Sequence, residues 1–318
     1  MRTLYKNYLM ILTLHGVMGL SFFTYKNINT PDDTFAATIL APSFPSSSHE
    51  APLKIDGCTN RGIELASNAP MPLDDRREIS VMLRIFPISI DQLGEYSLCG
   101  ATFISPTQLI TAAHCVQNTN RIEIEIISKT ENKKTFIAAS FWTSAYNYNK
   151  KRDVFHSVSD DVALVHISPI DAAPAWAQLS QSGAGSCDRI NWVGHGSSLL
   201  NTAKIGERRL AANTVNSIIT NRDQNGDKRR MLLWNSSLIN LAVFHEAVVP
   251  GDSGSGVFDE FGRLVGVVSA RSVIPEDTRE IKDNIGFLSI ASDLSDPIIT
   301  LFLSEKTKDL AMAGGMTL

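Results

Sequence analysis

The chain carries little net charge and has no excess of positive residues. Its 318 residues contain 29 Lys and Arg against 33 Asp and Glu, a formal net charge of -4 at pH 7. A protein that holds a nucleic acid backbone needs a concentrated positive field, so we exclude a nucleic-acid partner. Charged residues make up 19% and hydrophobic residues 43% of a non-repetitive sequence, which indicates a compact globular body.

Cysteine is scarce as well. The chain has 4 cysteines, at positions 58, 99, 115 and 187, and none of them stand in C-x-x-C spacing. This excludes a small disulfide-based scaffold and argues against a structural zinc site. Two ordinary disulfides remain open, and they require an oxidising compartment.

Long hydrophobic runs are missing after the N-terminus. The apolar run from Leu9 to Phe23 follows Arg2 and Lys6, which is the arrangement of a secretory signal. We predict residues 1–25 as a signal peptide, or as a signal anchor because the following Thr24-Tyr25-Lys26 is a poor cleavage site. The protein is expected to be secreted, either extracellular or periplasmic, and to contact a membrane only if this segment is retained.

The rest of the chain has two regions that differ in composition and hydrophobic pattern. Residues 26–62 contain four prolines and a triple serine, a composition that favours an extended pro-segment or linker. From about residue 79, short apolar stretches alternate with polar turns, and Ile122, Ile124 and Ile126 alternate with two glutamates, which predicts a strand with one solvent-facing side. Further strands are predicted within residues 79–85, 108–113, 135–142, 161–167, 189–194, 230–234 and 262–270.

A single helix is predicted, at the C-terminus from residue 295 to 309. Asp296-Pro297 offers a start signal. The apolar face is predicted to consist of Ile298, Ile299, Leu301 and Phe302. Many short strands and one terminal helix indicate a barrel or a sandwich.

One polar segment superficially resembles a calcium loop. Residues 221–227, NRDQNGD, place oxygen-bearing side chains at alternate positions around a glycine. The twelfth position of that loop is Leu232, where a bidentate glutamate would be needed. We interpret the segment as a polar surface turn.

Three segments combine polar chemistry with apolar, strand-like surroundings: TAAHC at 111–115, DDVAL at 160–164 and GDSGSG at 251–256. A serine hydroxyl needs an imidazole to take its proton and a carboxylate to orient that imidazole. We therefore predict Ser253 as nucleophile and His114 as base, with Asp160 and Asp161 competing as the carboxylate. The glycines would let the amides of Gly251 and Ser253 turn toward one point, as an oxyanion hole requires.

These segments resemble the trypsin/chymotrypsin-like serine protease family, where TAAHC, D-[IV]-A-L and GDSG occur in this order. The resemblance covers residues 63–318, which we interpret as the protease domain, and it selects Asp161 as the catalytic carboxylate. It implies an all-β fold, a double antiparallel six-stranded β-barrel with a C-terminal helix. It also implies a serine endopeptidase that acts on protein or peptide substrates through an acyl-enzyme, with no metal and no organic cofactor.

The same resemblance bears on the cysteines. Cys99 and Cys115 match the family's bridge beside the catalytic histidine. Cys58 and Cys187 are left, and their pairing would tie the segment before the protease domain to the barrel. The alternative is two free or intermolecular thiols.

The specificity pocket departs from the family's basic-specific pattern. Its floor falls on Ala247, so the carboxylate that selects Arg or Lys is missing, and Val248 adds an apolar lining. Ser269 and Arg271 are expected at the pocket, where Arg271 would narrow it, attract an acidic side chain, or turn to solvent. The sequence therefore predicts small or medium apolar side chains at P1.

The sequence also contains candidate sites for an activating cleavage. Arg61 lies just before Ile63, with one glycine between them, which suggests a zymogen cleaved near Arg61; Arg76-Arg77 is a second possible site. In the family, Asp252 pairs with the newly exposed N-terminus. Two rival functions stay open, a catalytically silent homologue that acts as a binding module and an esterase-type hydrolase.

Overall fold

The computed structural model describes a large part of the chain beyond residue 78. The described residues are 79–88, 96–117, 119–127, 133–144, 160–168, 173, 175–196, 206, 208–222, 228–237, 248–273 and 286–313. The predicted signal segment, the predicted linker and the start of the predicted protease domain lie outside them.

The first half of the described chain forms one antiparallel sheet. Its strands are β1 (Ser80–Pro87), β2 (Ser97–Ser105), β3 (Gln108–Thr111), β4 (Thr119–Ile127), β5 (Lys133–Ile137), β6 (Ser140–Thr143) and β7 (Ala163–His166), in the spatial order β5-β4-β1-β2-β3-β7-β6. The two edges, β5 and β6, are consecutive in the chain. Between them, Ala138 N donates to Ile122 O and Ala139 N to His166 O, so one bent strand joins both edges of the sheet.

The second half of the described chain forms another antiparallel sheet, and one bent strand again joins its two edges. Its strands are β8 (Arg189–Gly194), β9 (Arg209–Thr214), β10 (Ser217–Arg222), β11 (Lys228–Ser237), β12 (Gly256–Asp259), β13 (Leu264–Val273) and β14 (Gly286–Asp293), in the order β10-β11-β14-β13-β12-β8-β9. The edges β9 and β10 are again consecutive, and Val215 N and Asn216 N donate to Asp188 O and Leu233 O on opposite sides. Counting each bent pair as one strand gives two six-stranded antiparallel barrels, which confirms the predicted fold class.

The predicted solvent-facing side of β4 is wrong at one position. Ile122 and Ile124 are buried as expected, but Glu125 is also buried. Arg84 on the neighbouring strand β1 places its guanidinium on the Glu125 carboxylate, which removes that carboxylate from water. The alternation of apolar and polar residues therefore predicted strand β4 correctly. On its polar side, Glu125 contacts Arg84 of the neighbouring strand and not solvent.

The C-terminal helix is confirmed and is longer than predicted. It runs as α2 (Pro297–Ala313), and Asp296 caps it by accepting from Ile298 N at 2.9 Å and Ile299 N at 3.4 Å. The predicted apolar face is wrong at Leu301, which is 56% exposed. Leu303, two residues further along the helix, is buried together with Ile299. Among the described residues, no helix is long and apolar enough to cross a membrane.

The two barrels meet through backbone and side-chain contacts. Phe258, Leu264 and Val267 of the second barrel belong to the same buried apolar cluster as the core of the first. At the junction, Gly100 N on β2 donates to Ser253 O at 2.7 Å, and Gly256 N donates to Thr102 Oγ1 at 3.1 Å. The segment that carries Ser253 is thus fixed to the first barrel by main-chain contacts.

Candidate active site

His114 and Asp161, far apart in sequence, form a buried pair. His114 lies on the one-turn helix α1 (Ala113–Val116), directly after β3, and Asp161 lies just before β7, which pairs with β3. His114 Nδ1 lies 2.6 Å from Asp161 Oδ2, and the His114 backbone N–H donates to Asp161 Oδ1 at 2.8 Å. Both carboxylate oxygens therefore orient the same residue, which fixes the imidazole ring and its Nδ1–H tautomer.

A serine from the second barrel completes the surroundings of this carboxylate. Ser269 on β13 donates its hydroxyl hydrogen to Asp161 Oδ2. The Ser292 hydroxyl lies 3.5 Å from the Asp161 carbonyl oxygen. Ser269 was predicted at the specificity pocket, which stays a prediction, and its side chain contacts Asp161.

The charge of Asp161 changes the acidity of His114. Burial disfavours the imidazolium and lowers the pKa, but the carboxylate charge and its hydrogen bond outweigh this. The pKa of His114 is therefore raised above its ordinary value of 6.5. An imidazole with this partner is a stronger base than a free histidine.

Asp160 has a different role from its neighbour. Its carboxylate pairs with Arg229 on β11, and the Arg229 side chain is 2% exposed. Arg229 Nε also lies 3.7 Å from Asp296 Oδ2, the helix cap. Burial raises the pKa of Asp296, against the opposing effects of the Arg229 charge and backbone donors. Asp160 thus belongs to a structural network, which supports Asp161 as the carboxylate of the site.

The turn around Ser253 has the backbone that the sequence predicted. Gly251 has φ 96° and Gly254 has φ 84°, a region that side chains disfavour. The amides of Asp252, Gly254 and Ser255 donate to the carbonyls of Val249, Val268 and Asp252. Toward the described residues, the intervening Gly251 and Ser253 amides donate no hydrogen bond. These are the two amides predicted to bind an oxyanion.

The Cys99–Cys115 disulfide, expected from the family resemblance, is present. It joins β2 to α1, with its Cα atoms 6.3 Å apart. Cys115 Sγ lies 3.7 Å from His114 Nε2 and 3.8 Å from Ser253 O, so the bridge touches both the histidine and the serine turn. The two sulfurs and His114 are close enough together to suggest a metal site, but both sulfurs are used in the disulfide.

The second predicted bridge is described at one end only. Cys187, at φ 71°, is disulfide-bonded. Its predicted partner, Cys58, lies outside the described residues. The alternative of a free thiol is therefore wrong for Cys187.

The predicted pocket residues are only partly described. Ala247 lies outside the described residues. Val248 is buried in the apolar core of the second barrel, and its N–H donates to Ser289 Oγ at 3.0 Å. Arg271 is half-buried on β13; burial lowers the pKa of its guanidinium, and the charge of Asp252 acts in the opposite direction. Arg271 is thus not simply turned to solvent.

The activation residues Arg61 and Ile63 also lie outside the described part of the chain, but Asp252 is well defined. Its carboxylate is fully buried and pairs with Arg209 on β9. Arg209 and Arg229 could not be predicted from the sequence, because no local motif marks either arginine. Their partners are more than forty residues away in the chain, so only the fold reveals them.

Comparison with protein families matches residues 85–287 to the family described as Trypsin. The chain belongs to the trypsin family. A solved structure of a scabies mite inactivated protease paralogue, S-I1, is 14% identical, with a TM-score of 0.49, and the alignment covers 76% of this chain and 98% of that one. The active form of the Rv3671c protease from M. tuberculosis is 17% identical, with a TM-score of 0.45 and coverage of 84% and 91%. No curated protein gives a significant match.

Proposed function

We propose that the chain is a secreted serine endopeptidase that cleaves peptide bonds through Ser253, His114 and Asp161. The observation that carries the proposal is the buried His114–Asp161 pair at 2.6 Å, beside a turn whose Gly251 and Ser253 amides donate no hydrogen bond to the described residues. A base with a raised pKa, a hydroxyl and two backbone donors at one turn are the parts that acyl transfer needs. Membership of the trypsin family supports the same reaction class.

The proposed mechanism assigns one step to each group. Ser253 Oγ attacks the scissile carbonyl carbon while His114 Nε2 accepts the hydroxyl proton. The Gly251 and Ser253 amides donate to the oxygen that becomes negative, and Asp161 stabilises the imidazolium through Nδ1. His114 then returns the proton to the leaving amine as the C–N bond breaks. A water molecule, activated by His114 in the same way, hydrolyses the acyl-enzyme.

The proposed P1 preference is for small or medium apolar side chains. Ala247 at the predicted pocket floor offers no carboxylate to a basic side chain. The half-buried guanidinium of Arg271, close enough to Asp252 to interact with its charge, adds a positive field that disfavours Lys or Arg further. Profiling of a peptide library should show cleavage after Ala, Val or Leu. Predominant cleavage after Arg or Lys would contradict this assignment.

Secretion and maturation complete the proposal. The Cys99–Cys115 bridge and the disulfide at Cys187 favour an oxidising compartment. Cleavage near Arg61, with the pro-segment retained through Cys58, is part of the same proposal. N-terminal sequencing of the secreted protein tests signal removal and this cleavage together, and an N-terminus upstream of Cys58 with none near residue 62 would contradict the cleavage.

A serine-directed fluorophosphonate tests the catalytic claim. The parent protein should form one covalent adduct, located by mass spectrometry on the peptide that contains Ser253. Ser253→Ala should not react, whereas Ser255→Ala, two residues away in the same peptide, should react like the parent. A parent protein that the reagent does not distinguish from Ser253→Ala would favour the silent binding homologue. Hydrolysis of ester but not peptide substrates would favour the esterase.

A further inference from the structure

Asp252, between the two proposed oxyanion donors, has a complete set of partners in the uncut chain. Oδ1 accepts from Gly196 N at 3.0 Å. Oδ2 accepts from Trp192 Nε1 at 3.3 Å, from Val249 N at 3.2 Å and from the Arg209 guanidinium. All four donors belong to the second barrel or to the serine turn itself.

Arg209 is positioned for this contact by the sheet. It begins β9 and pairs with Gly194 at the end of β8, so its side chain starts directly beside the segment that holds Asp252. Asp252 lies so close to Gly194 that a Cβ there would be 2.1 Å from Oδ1. The Arg209 side chain is 10% exposed and that of Asp252 is fully buried. A carboxylate removed from water in this way requires a cation.

Among the described residues, three other ionisable side chains lie near Asp252 and Arg209: His195, Arg208 and Arg271. His195, between β8 and β9, is buried, and burial together with the charges of Arg208 and Arg209 lowers its pKa to about 3. It is therefore neutral at physiological pH. Arg271, from β13, interacts with Asp252 through its charge, and Arg208 directs Nη2 toward Ser80 O at 3.5 Å.

We infer that Arg209 is a positioning residue, whose guanidinium supplies the permanent charge that holds Asp252 and so orients the Gly251 and Ser253 amides without a newly formed N-terminus. In the family pattern quoted above, a free N-terminal ammonium fills this role. Here that ammonium would have to displace an arginine already seated on Oδ2. The inference rests on the proposed function, because it concerns how the oxyanion site of that reaction is ordered.

Arg209 variants provide the first test. Arg209→Gln keeps polarity and removes the charge, and should lower kcat about 10²-fold with KM changed less than about threefold, since oxyanion contacts act in the transition state. Arg209→Lys should recover at least a tenth of the parent kcat. Arg208→Gln, the neighbouring arginine, is the matched control and should keep the parent kcat. Circular dichroism and thermal melting of each variant establish that it folds.

The uncut chain provides the second test, which does not depend on the folding of an Arg209 variant. Arg61→Gln combined with Arg76→Gln and Arg77→Gln removes the candidate cleavage sites. This protein, shown uncut by mass spectrometry, should react with the fluorophosphonate at the rate of the processed parent. An uncut chain that is unreactive until its N-terminus is liberated, or an Arg209→Gln variant with parent kcat, would overturn the inference. A parent that reacts in neither form would overturn the proposed function instead.

Discussion

Two buried aspartates support the two halves of the site, and they have opposite kinds of partner. Asp161 binds His114 through Nδ1 and the backbone, with a serine hydroxyl as third donor. Asp252 binds Arg209, an indole N–H and two backbone amides. Both carboxylates are removed from water, yet one faces a group that titrates near neutral pH and the other a group that stays charged.

This difference follows from what each carboxylate has to do. In the proposed reaction, the partner of Asp161 must gain and lose a proton in every cycle, so only a histidine serves there. The partner of Asp252 has to keep a backbone turn in place, and a group that lost its charge would release the turn. Arginine, which remains protonated across the physiological range, suits that role.

The largest expected effect comes from replacing Asp161, the carboxylate that contacts His114. Asp161→Asn should lower kcat about 10⁴-fold, because the imidazole loses its orienting acceptor. The acidic limb of the kcat/KM profile should move to lower pH, since burial then acts alone on the His114 pKa. Asp188→Asn, at an exposed turn carboxylate, is the control. An acidic limb at the same pH in Asp161→Asn and the parent would mean that Asp161 does not raise the pKa of the catalytic base.

Arg229 is a second buried arginine that pairs with carboxylates, in a structural network outside the proposed catalytic site. Arg229→Met should leave Asp160 and the Asp296 cap without their cation and destabilise the fold by about 3–5 kcal/mol. Arg263→Met removes a half-exposed guanidinium from Asp259, which keeps two backbone N–H donors, and should cost less than about 1 kcal/mol. Urea unfolding measures both. Equal losses would mean that burial does not distinguish these pairs.

A histidine in place of Arg209 should make the ion pair of Asp252 depend on pH, as the Asp161–His114 pair does. Arg209→His should give a bell-shaped pH profile, because the loop loses its cation as the new imidazole deprotonates. The rate at pH 9 should fall about 10²-fold below the parent rate. Measurement of kcat/KM from pH 6 to pH 9 tests this, with Arg208→His as control. A profile parallel to that of the parent would contradict the assignment.

The smallest expected effect concerns the third donor to Asp161. Ser269→Ala removes the hydroxyl hydrogen bond from a buried carboxylate and should lower kcat about tenfold, on the order of 1.4 kcal/mol. Ser292→Ala, whose hydroxyl lies at 3.5 Å from the Asp161 carbonyl, should have little effect. If the two variants are equally impaired, the Ser269 contact does not support the base.

The sequence predicted the parts of the site whose chemistry is local. His114 and Ser253 each stand in a short polar segment within apolar sequence, and glycines that adopt a positive φ lie near Ser253. The Asp160-Asp161 pair was found in the same way, and the family resemblance selected Asp161 from it. Strand and helix positions followed from periodicity and from the Asp296 cap.

What the sequence did not predict depends on distant pairing. Arg209, Arg229 and the burial of Glu125 each result from ion pairs between strands, which neither motif nor periodicity encodes. The bent strand of the first barrel coincides with the strand predicted within residues 135–142. That of the second barrel was missed, because β9 and β10 do not alternate apolar and polar residues regularly.

The pH dependence of kcat/KM for the processed parent protein tests the contrast between the two aspartates most directly. We expect one acidic limb with an apparent pKa above 6.5, from His114, followed by a plateau to about pH 10. A second, alkaline limb near pH 8, where an α-amino group titrates, would contradict it. That result, abolished by acetylation of the N-terminus, would show that Asp252 depends on a titrating partner as well.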